Sequence, residues 1–318
     1  MQIFCSAIVL RYTMFFYNPT KMCAKGLEYA KVSVLAKWTD ARKQKEFHAL
    51  YGSNPLDVAQ CWNNLLEKGD ELLEPCDVMS KREKKSGLRN FLMAMHFLWA
   101  YPRNAKELGG KFDVSESYAK GNLFWKWVRR IASLSGIKIV WGAELDDPNG
   151  SSNAVWIDCA DMPTWEVKHP TLPKDTGWCS HKHARCAVKY QITLAVHSPK
   201  IVNISGPHRG GESDKTVLEL SGVLEKLQEG KLAVCDRGYI DRKLAHKLSW
   251  PNPHDAPDTN EYKSRIRMRG ETINGRMKFF KILRECYRHK IEYHNDVYTA
   301  VAVMVQYQMD NGAPIFAV

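Results

Sequence analysis

The chain has 318 residues, room for one large or two modest domains, and its 44% hydrophobic content can bury a substantial core, which argues against wholesale disorder. Lys and Arg number 46 against 35 Asp and Glu, a formal charge of +11 that favours a polyanionic partner, nucleic acid being the commonest. Nine scattered cysteines without a Cys-x-x-Cys pair read as reduced thiols in an intracellular protein. The apolar run at 3–10 is too short to span a bilayer, and no basic residue precedes it as in a signal peptide.

Residues 1–40 lack firm periodicity and are expected to be weakly structured, and 41–141 are expected to be helical. Leu50, Leu56, Val58, Trp62 and Leu65 recur near helical spacing within 43–73, with a helix entered at Asn54-Pro55. Further helices are expected at 88–101, stopped at Pro102, at 104–112, and at 115–131 with Ser115 as N-cap. A short helix, a tight turn at 112–114 and a longer helix describe a helix-turn-helix within about 88–131. Residues 81–130 hold twelve Lys and Arg against four Asp and Glu, a surplus of eight. Lys120, Lys126, Arg129 and Arg130 on the third helix are therefore candidate DNA contacts. The bland alternative is an ordinary basic helical bundle.

A turn-rich connector at 142–153, containing Asp146-Asp147-Pro148-Asn149-Gly150, is the predicted domain boundary. Strands follow at 154–159, 186–196 and 201–206, then a helix at 214–229 and a strand at 231–236. Helices at 271–283 and 296–309 complete the chain. This order predicts an α/β fold over 154–318: a ribonuclease-H-like domain whose mixed sheet is flanked by helices, preceded by the all-α region.

Three acidic residues stand where such a domain could use them. Asp158 lies in an apolar strand, Asp236 ends another, and Glu271, 35 positions on, is expected near the start of a helix. Carboxylates converging from two strands and a helix can hold a pair of divalent ions, Mg²⁺ or Mn²⁺, that clamps both oxygens of a phosphodiester displacement. Asp158, Asp236 and Glu271 are thus the candidate catalytic and metal-binding residues. The bland reading makes Asp158 a strand-end cap and Asp236 a turn former before Arg237-Gly238. Arg267, Asn274 and Lys278 fall at i−4, i+3 and i+7 from Glu271, on its helix face, so Arg267 and Lys278 are further candidate DNA contacts. The alternative for both is a solvated basic helix. Cys179-x-His181-x-His183-x-x-Cys186 admits a zinc reading, but its spacing favours a basic hairpin that touches a DNA backbone. The glycine-rich turn at 206–211 lacks the Gly-Lys-Ser ending of a nucleotide-binding loop.

The chain resembles the Harbinger-type DDE-superfamily transposases, which are related to bacterial insertion-sequence enzymes. The stretches that carry the resemblance are Ile157-Asp158-Cys159-Ala160-Asp161, the segment 205–214, Asp236-Arg237-Gly238-Tyr239, the segment 267–271 with Lys278, and 301–316. Together they cover most of 150–318. The resemblance implies a metal-dependent DNA endonuclease that cuts and joins transposon DNA, a helix-turn-helix ahead of it, a nuclear location, higher-order assembly on DNA and a Myb-like partner. One departure stands out: Cys159-Ala160-Asp161 replaces the family's Gly-Thr-His-like text, leaving Asp161 as either an extra ligand or a surface residue. Two rival readings are a domesticated, non-catalytic DNA-binding protein and an RNA-directed nuclease of the same fold.

Overall fold

The computed structural model describes residues 16–142, 145, 151–165, 176–240 and 243–318. Residues 143, 144 and 146–150 of the expected connector, and 1–15 of the N-terminus, lie outside the described residues. The chain divides into two compact units. One runs to Ile137 and includes Phe280–Ile282 and Asp296–Asn311. The other comprises Lys138–Phe279, Leu283–Asn295 and Gly312–Val318.

The first unit is helical: α1 (Pro19–Tyr29), α2 (Asp40–Tyr51), α3 (Pro55–Leu72), α4 (Lys81–Ser86), α5 (Leu88–Ala100), α6 (Ala105–Phe112), α7 (Glu116–Lys120) and α8 (Asn122–Ser133). Its helix starts are written in the local sequence. Asn54 and Asp57 form a reciprocal capping box ahead of α3, Ser80 and Glu83 do so ahead of α4, and Ser115 caps α7. Each satisfies backbone N–H groups that a first turn leaves without partners. The apolar faces meet around Trp62, with ring centroids of Phe91 at 5.4 Å and Trp127 at 5.7 Å.

Three expectations change here. Residues 19–29 form α1, which buries Met22, Cys23 and Leu27. The expected helix at 115–131 is two helices, because Gly121 between α7 and α8 is extended (φ −74°, ψ 163°). The last helix, α11 (His294–Asp310), lies from Asp296 onward in the helical unit and not with the sheet. There Asn64 donates to the Tyr307 hydroxyl at 2.7 Å and Gln308 to the Gly52 carbonyl at 2.8 Å.

The second unit is built on β1 (Asn153–Pro163), β2 (Cys179–Ser180), β3 (Arg185–Ala195), β4 (Ile201–Arg209), β5 (Leu232–Val234) and β6 (Leu248–Ser249). β3 pairs antiparallel with β1 on one side and with β2 and β4 on the other; β5 and β6 extend the sheet in parallel from β1. Three antiparallel strands followed by parallel ones, with helices against the sheet, is the ribonuclease-H-like architecture. The two-residue β6 is too short for its alternation to be read from sequence. Helix α9 (Asp214–Ser221) stops earlier than expected, since Gly222 turns left-handed at φ 60°. Val155, Ile157, Leu218, Val223, Ala233 and Tyr239 form the core under this sheet.

Helix α10 (Pro257–Phe279) corrects the placement of Glu271, which sits deep within a 23-residue helix and not near its start. Gly270 makes the helix fit. A Cβ there would come within 2.1 Å of the Trp156 ring on β1, so only glycine allows this approach. Arg269, buried, donates to the carbonyls of Val196 and Ser198 and so ties α10 to the β3–β4 turn.

Candidate active site

Close packing of α10 on β1 sets Glu271 beside the two strand carboxylates. Asp158, Asp236 and Glu271 line one cavity of about 580 Å³ in the sheet unit, together with Asp161, Asp214 and Lys278. Asp158 comes from the middle of β1, opposite Ile192 of β3. Asp236 follows β5 and opens a short turn at Arg237–Tyr239. Burial, reinforced by the charges of Asp236 and Glu271, pushes the Asp158 carboxyl up to about 7.

The residues expected around Glu271 all appear at this site. Asn274 donates to Asp158 Oδ2 at 3.0 Å, Arg267 Nε is ion-paired with Asp236 Oδ1, and Lys278 lines the cavity. Burial, together with the charge of Lys182, holds the Lys278 ammonium below its ordinary value. Cysteine nucleophiles find no support: burial drives the thiols of Cys159 and Cys235 upward, Cys235 to about 12, so both stay protonated.

Sequence reasoning missed a second layer of this cavity. Lys189 of β3 directs its ammonium at the Glu212 carbonyl (2.6 Å), Asp214 Oδ1 (3.0 Å) and Asp161 Oδ1 (3.8 Å). Asp161 is 8% exposed and accepts a hydrogen bond from Ser180, so it is no surface residue. The Asp161–Lys189 pairing follows from strand register, which a linear sequence does not display. Asp214 was visible in the resembling stretch 205–214, without any cue that it turned inward.

The helical unit disposes of its cations differently. Arg130 has no exposed surface; it pairs with Glu83 at 3.0 Å and donates to the Asp77 carbonyl at 2.7 Å. That overturns its expected DNA contact, because a guanidinium locked inside the fold cannot meet a phosphate. Arg129 grips both Asp77 oxygens, at 2.9 and 3.1 Å, and Lys126 stands 3.9 Å from Glu83. Of the four expected contacts, Lys120 is the most exposed, at 64%, and among the described residues it is paired with Glu116 one turn back.

A divalent ion can be weighed against the cavity. Three carboxylates offer the hard oxygen donors that such an ion prefers, and a cation there would offset the burial and the neighbouring charges of Asp236 and Glu271 that raise the Asp158 carboxyl. The donor chemistry therefore fits. Among the described residues, however, no three His, Cys, Asp or Glu groups stand ready to hold one ion, with Arg267 on Asp236 and Asn274 on Asp158. Cys179 and Cys186, the cysteines of the zinc reading, are direct cross-strand neighbours in β2 and β3. No helix among the described residues is long and apolar enough to cross a membrane.

Residues 157–306 match the family model described as DDE superfamily endonuclease. No curated protein matches the sequence. A crystal structure of a pre-cleavage Mos1 transpososome aligns over 93% of this chain and 98% of its own, at 10% identity and a TM-score of 0.21. So low a score leaves the fold argument to the strand order. The sheet topology and the gathered carboxylates agree with that match, and the region 157–306 is similar to the DDE superfamily endonucleases.

Proposed function

We propose that the chain is a transposase of the Harbinger type, cutting and joining DNA by metal-dependent phosphoryl transfer. The observation that carries the proposal is the meeting of Asp158, Asp236 and Glu271 at one cavity from β1, the end of β5 and α10. These three residues would hold two Mg²⁺ or Mn²⁺ ions. Such ions, when bound, activate a water or a DNA 3′-hydroxyl and stabilise the departing oxygen. Asn274 orients the Asp158 carboxyl. Lys278 meets a phosphate of the scissile strand, and Arg267 is the cation that shifts between Asp236 and that strand. The helical unit docks the duplex through its helix-turn-helix, with Lys120 as an exposed contact. Assembly into oligomers, a Myb-like partner and a nuclear site of action extend the same proposal.

The test is nicking of duplexes carrying the inverted-repeat ends of the chain's own element, in Mg²⁺ and in Mn²⁺, with any partner supplied. Cleavage by wild type that is lost in Asp236→Ala supports the reading. An inert wild type in both metals selects the domesticated DNA-binding protein instead. One observation favours that rival: Asp236 is ion-paired with Arg267 and Asp158 bonded to Asn274.

A further inference from the structure

We infer that the turn joining β2 to β3 is a phosphate-holding element for the DNA strand at the carboxylate cavity, with Lys182 as the contact and Asp161 as the anchor of the turn. The inference rests on the proposed function, since it names how that site's substrate is held. His181 and Lys182 are exposed and line the same cavity as Asp158, Asp236 and Glu271. A floor of carboxylates repels a polyanion, so a strand can settle there only where cations stand beside it. Lys182 and Lys278 line that cavity close enough for the charge of one to depress the other. Arg185, also exposed, closes the turn opposite Ser180.

The turn is held in place by more than its own length of chain. Ala184 adopts a left-handed conformation (φ 49°), and its N–H donates to the Ser180 carbonyl at 2.8 Å. Ser180 is fully buried; its hydroxyl receives the His183 N–H at 3.2 Å and donates to the Asp161 carboxylate. Asp161 lies on β1, three residues beyond Asp158, and is held from its other side by Lys189. One strand thus supplies both a candidate catalytic carboxylate and the anchor of the basic turn. This gives a reason for an acid at 161: its charge is directed at Ser180 and Lys189, where it fixes the distance between Lys182 and the cavity floor.

The test measures binding of fluorescent single-stranded and duplex oligonucleotides by the full chain, as a function of salt and without divalent metal. Lys182→Ala is expected to lower the log–log salt slope by about 0.7 for single strands and about 0.9 for duplex, one phosphate contact's worth, while Lys182→Arg retains it. Asp161→Asn removes a negative charge, so if Asp161 merely repelled DNA the variant would bind more tightly; as an anchor it is expected to bind more weakly, with thermal melting confirming a folded chain. An unchanged slope in Lys182→Ala, or tighter binding by Asp161→Asn, overturns the inference. A wild type that cuts nothing but whose slope falls in Lys182→Ala removes the nuclease reading and leaves this one standing.

Discussion

The helical unit and the sheet unit use charge in opposite ways. Across 81–130 the sequence shows a surplus of eight cations, yet the fold assigns Arg130 to Glu83, Arg129 to Asp77 and Lys84 to Asp70 at 2.8 Å. In the sheet unit the three acids are scattered along the sequence, and the fold gathers them at one cavity. A run of like charges marks a partner surface only where folding brings no counter-charge to it. Scattered acids mark a site only where topology brings them together. Burying and gathering carboxylates disfavours their ionised form, and the Asp158 carboxyl is raised by burial first and by Asp236 and Glu271 second.

The comparison breaks most visibly at the carboxylates. Asp158→Ala, Asp236→Ala and Glu271→Ala are each expected to lower metal-dependent nicking by about 10³-fold or more, and non-additively in combination, because residues that act as one unit fail together. Duplex binding should stay near wild type. Equal nicking by wild type and Asp236→Ala would remove Asp236 from the site.

Next in size is Arg130. Truncating one member of a buried ion pair strands the other charge, so Arg130→Ala is expected to destabilise the chain by about 3–5 kcal/mol. Arg130→Met, which retains apolar volume, should cost less. Urea unfolding reads this directly. A variant with an unshifted midpoint and a flattened salt slope of DNA binding would restore Arg130 as a DNA contact and erase the contrast between the units.

How far the fold was legible in sequence follows the same division. Local signals were sound: helices start at Asn54-Pro55 and at Ser115, where the Asn54 and Ser115 side chains accept backbone N–H groups. The apolar runs around Asp158 and Asp236 were strands or strand ends, and the helix face carrying Arg267, Asn274 and Lys278 does line the site. What failed was non-local. The start of α10 was missed because its first half is rich in polar and basic residues and shows no apolar stripe. Lys189 and Asp161 meet through β-register, and Arg130 is buried by Asp77 and Glu83, more than forty positions earlier.

Asp158 also sets a pH dependence. Burial and the neighbouring carboxylates raise its folded carboxyl from the ordinary 3.8 to about 7, so between those values the folded chain holds a proton that the unfolded chain has released. Without metal, stability should therefore fall as pH rises through that window, and Asp158→Asn should flatten the fall. At about 1.4 kcal/mol per pH unit the effect is bounded near 4 kcal/mol, and partial solvent exposure brings it lower. Urea midpoints at pH 5 and pH 8 for both proteins check the sign. A wild type that gains stability from pH 5 to 8 relative to Asp158→Asn would contradict it.

The smallest effect is the sharpest test of the contrast within the helical unit. Lys120 and Arg129 were indistinguishable as basic residues on one expected helix, and the fold separates them. Lys120 is exposed and, among the described residues, is ion-paired with Glu116 four residues back, a solvent-screened pair. Lys120→Ala should therefore barely move the urea midpoint, while lowering the salt slope of duplex binding by up to about 0.9 if it meets a phosphate. Arg129 grips both oxygens of Asp77, a largely buried carboxylate. Arg129→Ala should shift the midpoint by more than Lys120→Ala does, and leave the slope unchanged. If the two variants exchange these signatures, the internal ion pair is not what holds Arg129, and the basic surface of the helical unit is the one that the charge count describes.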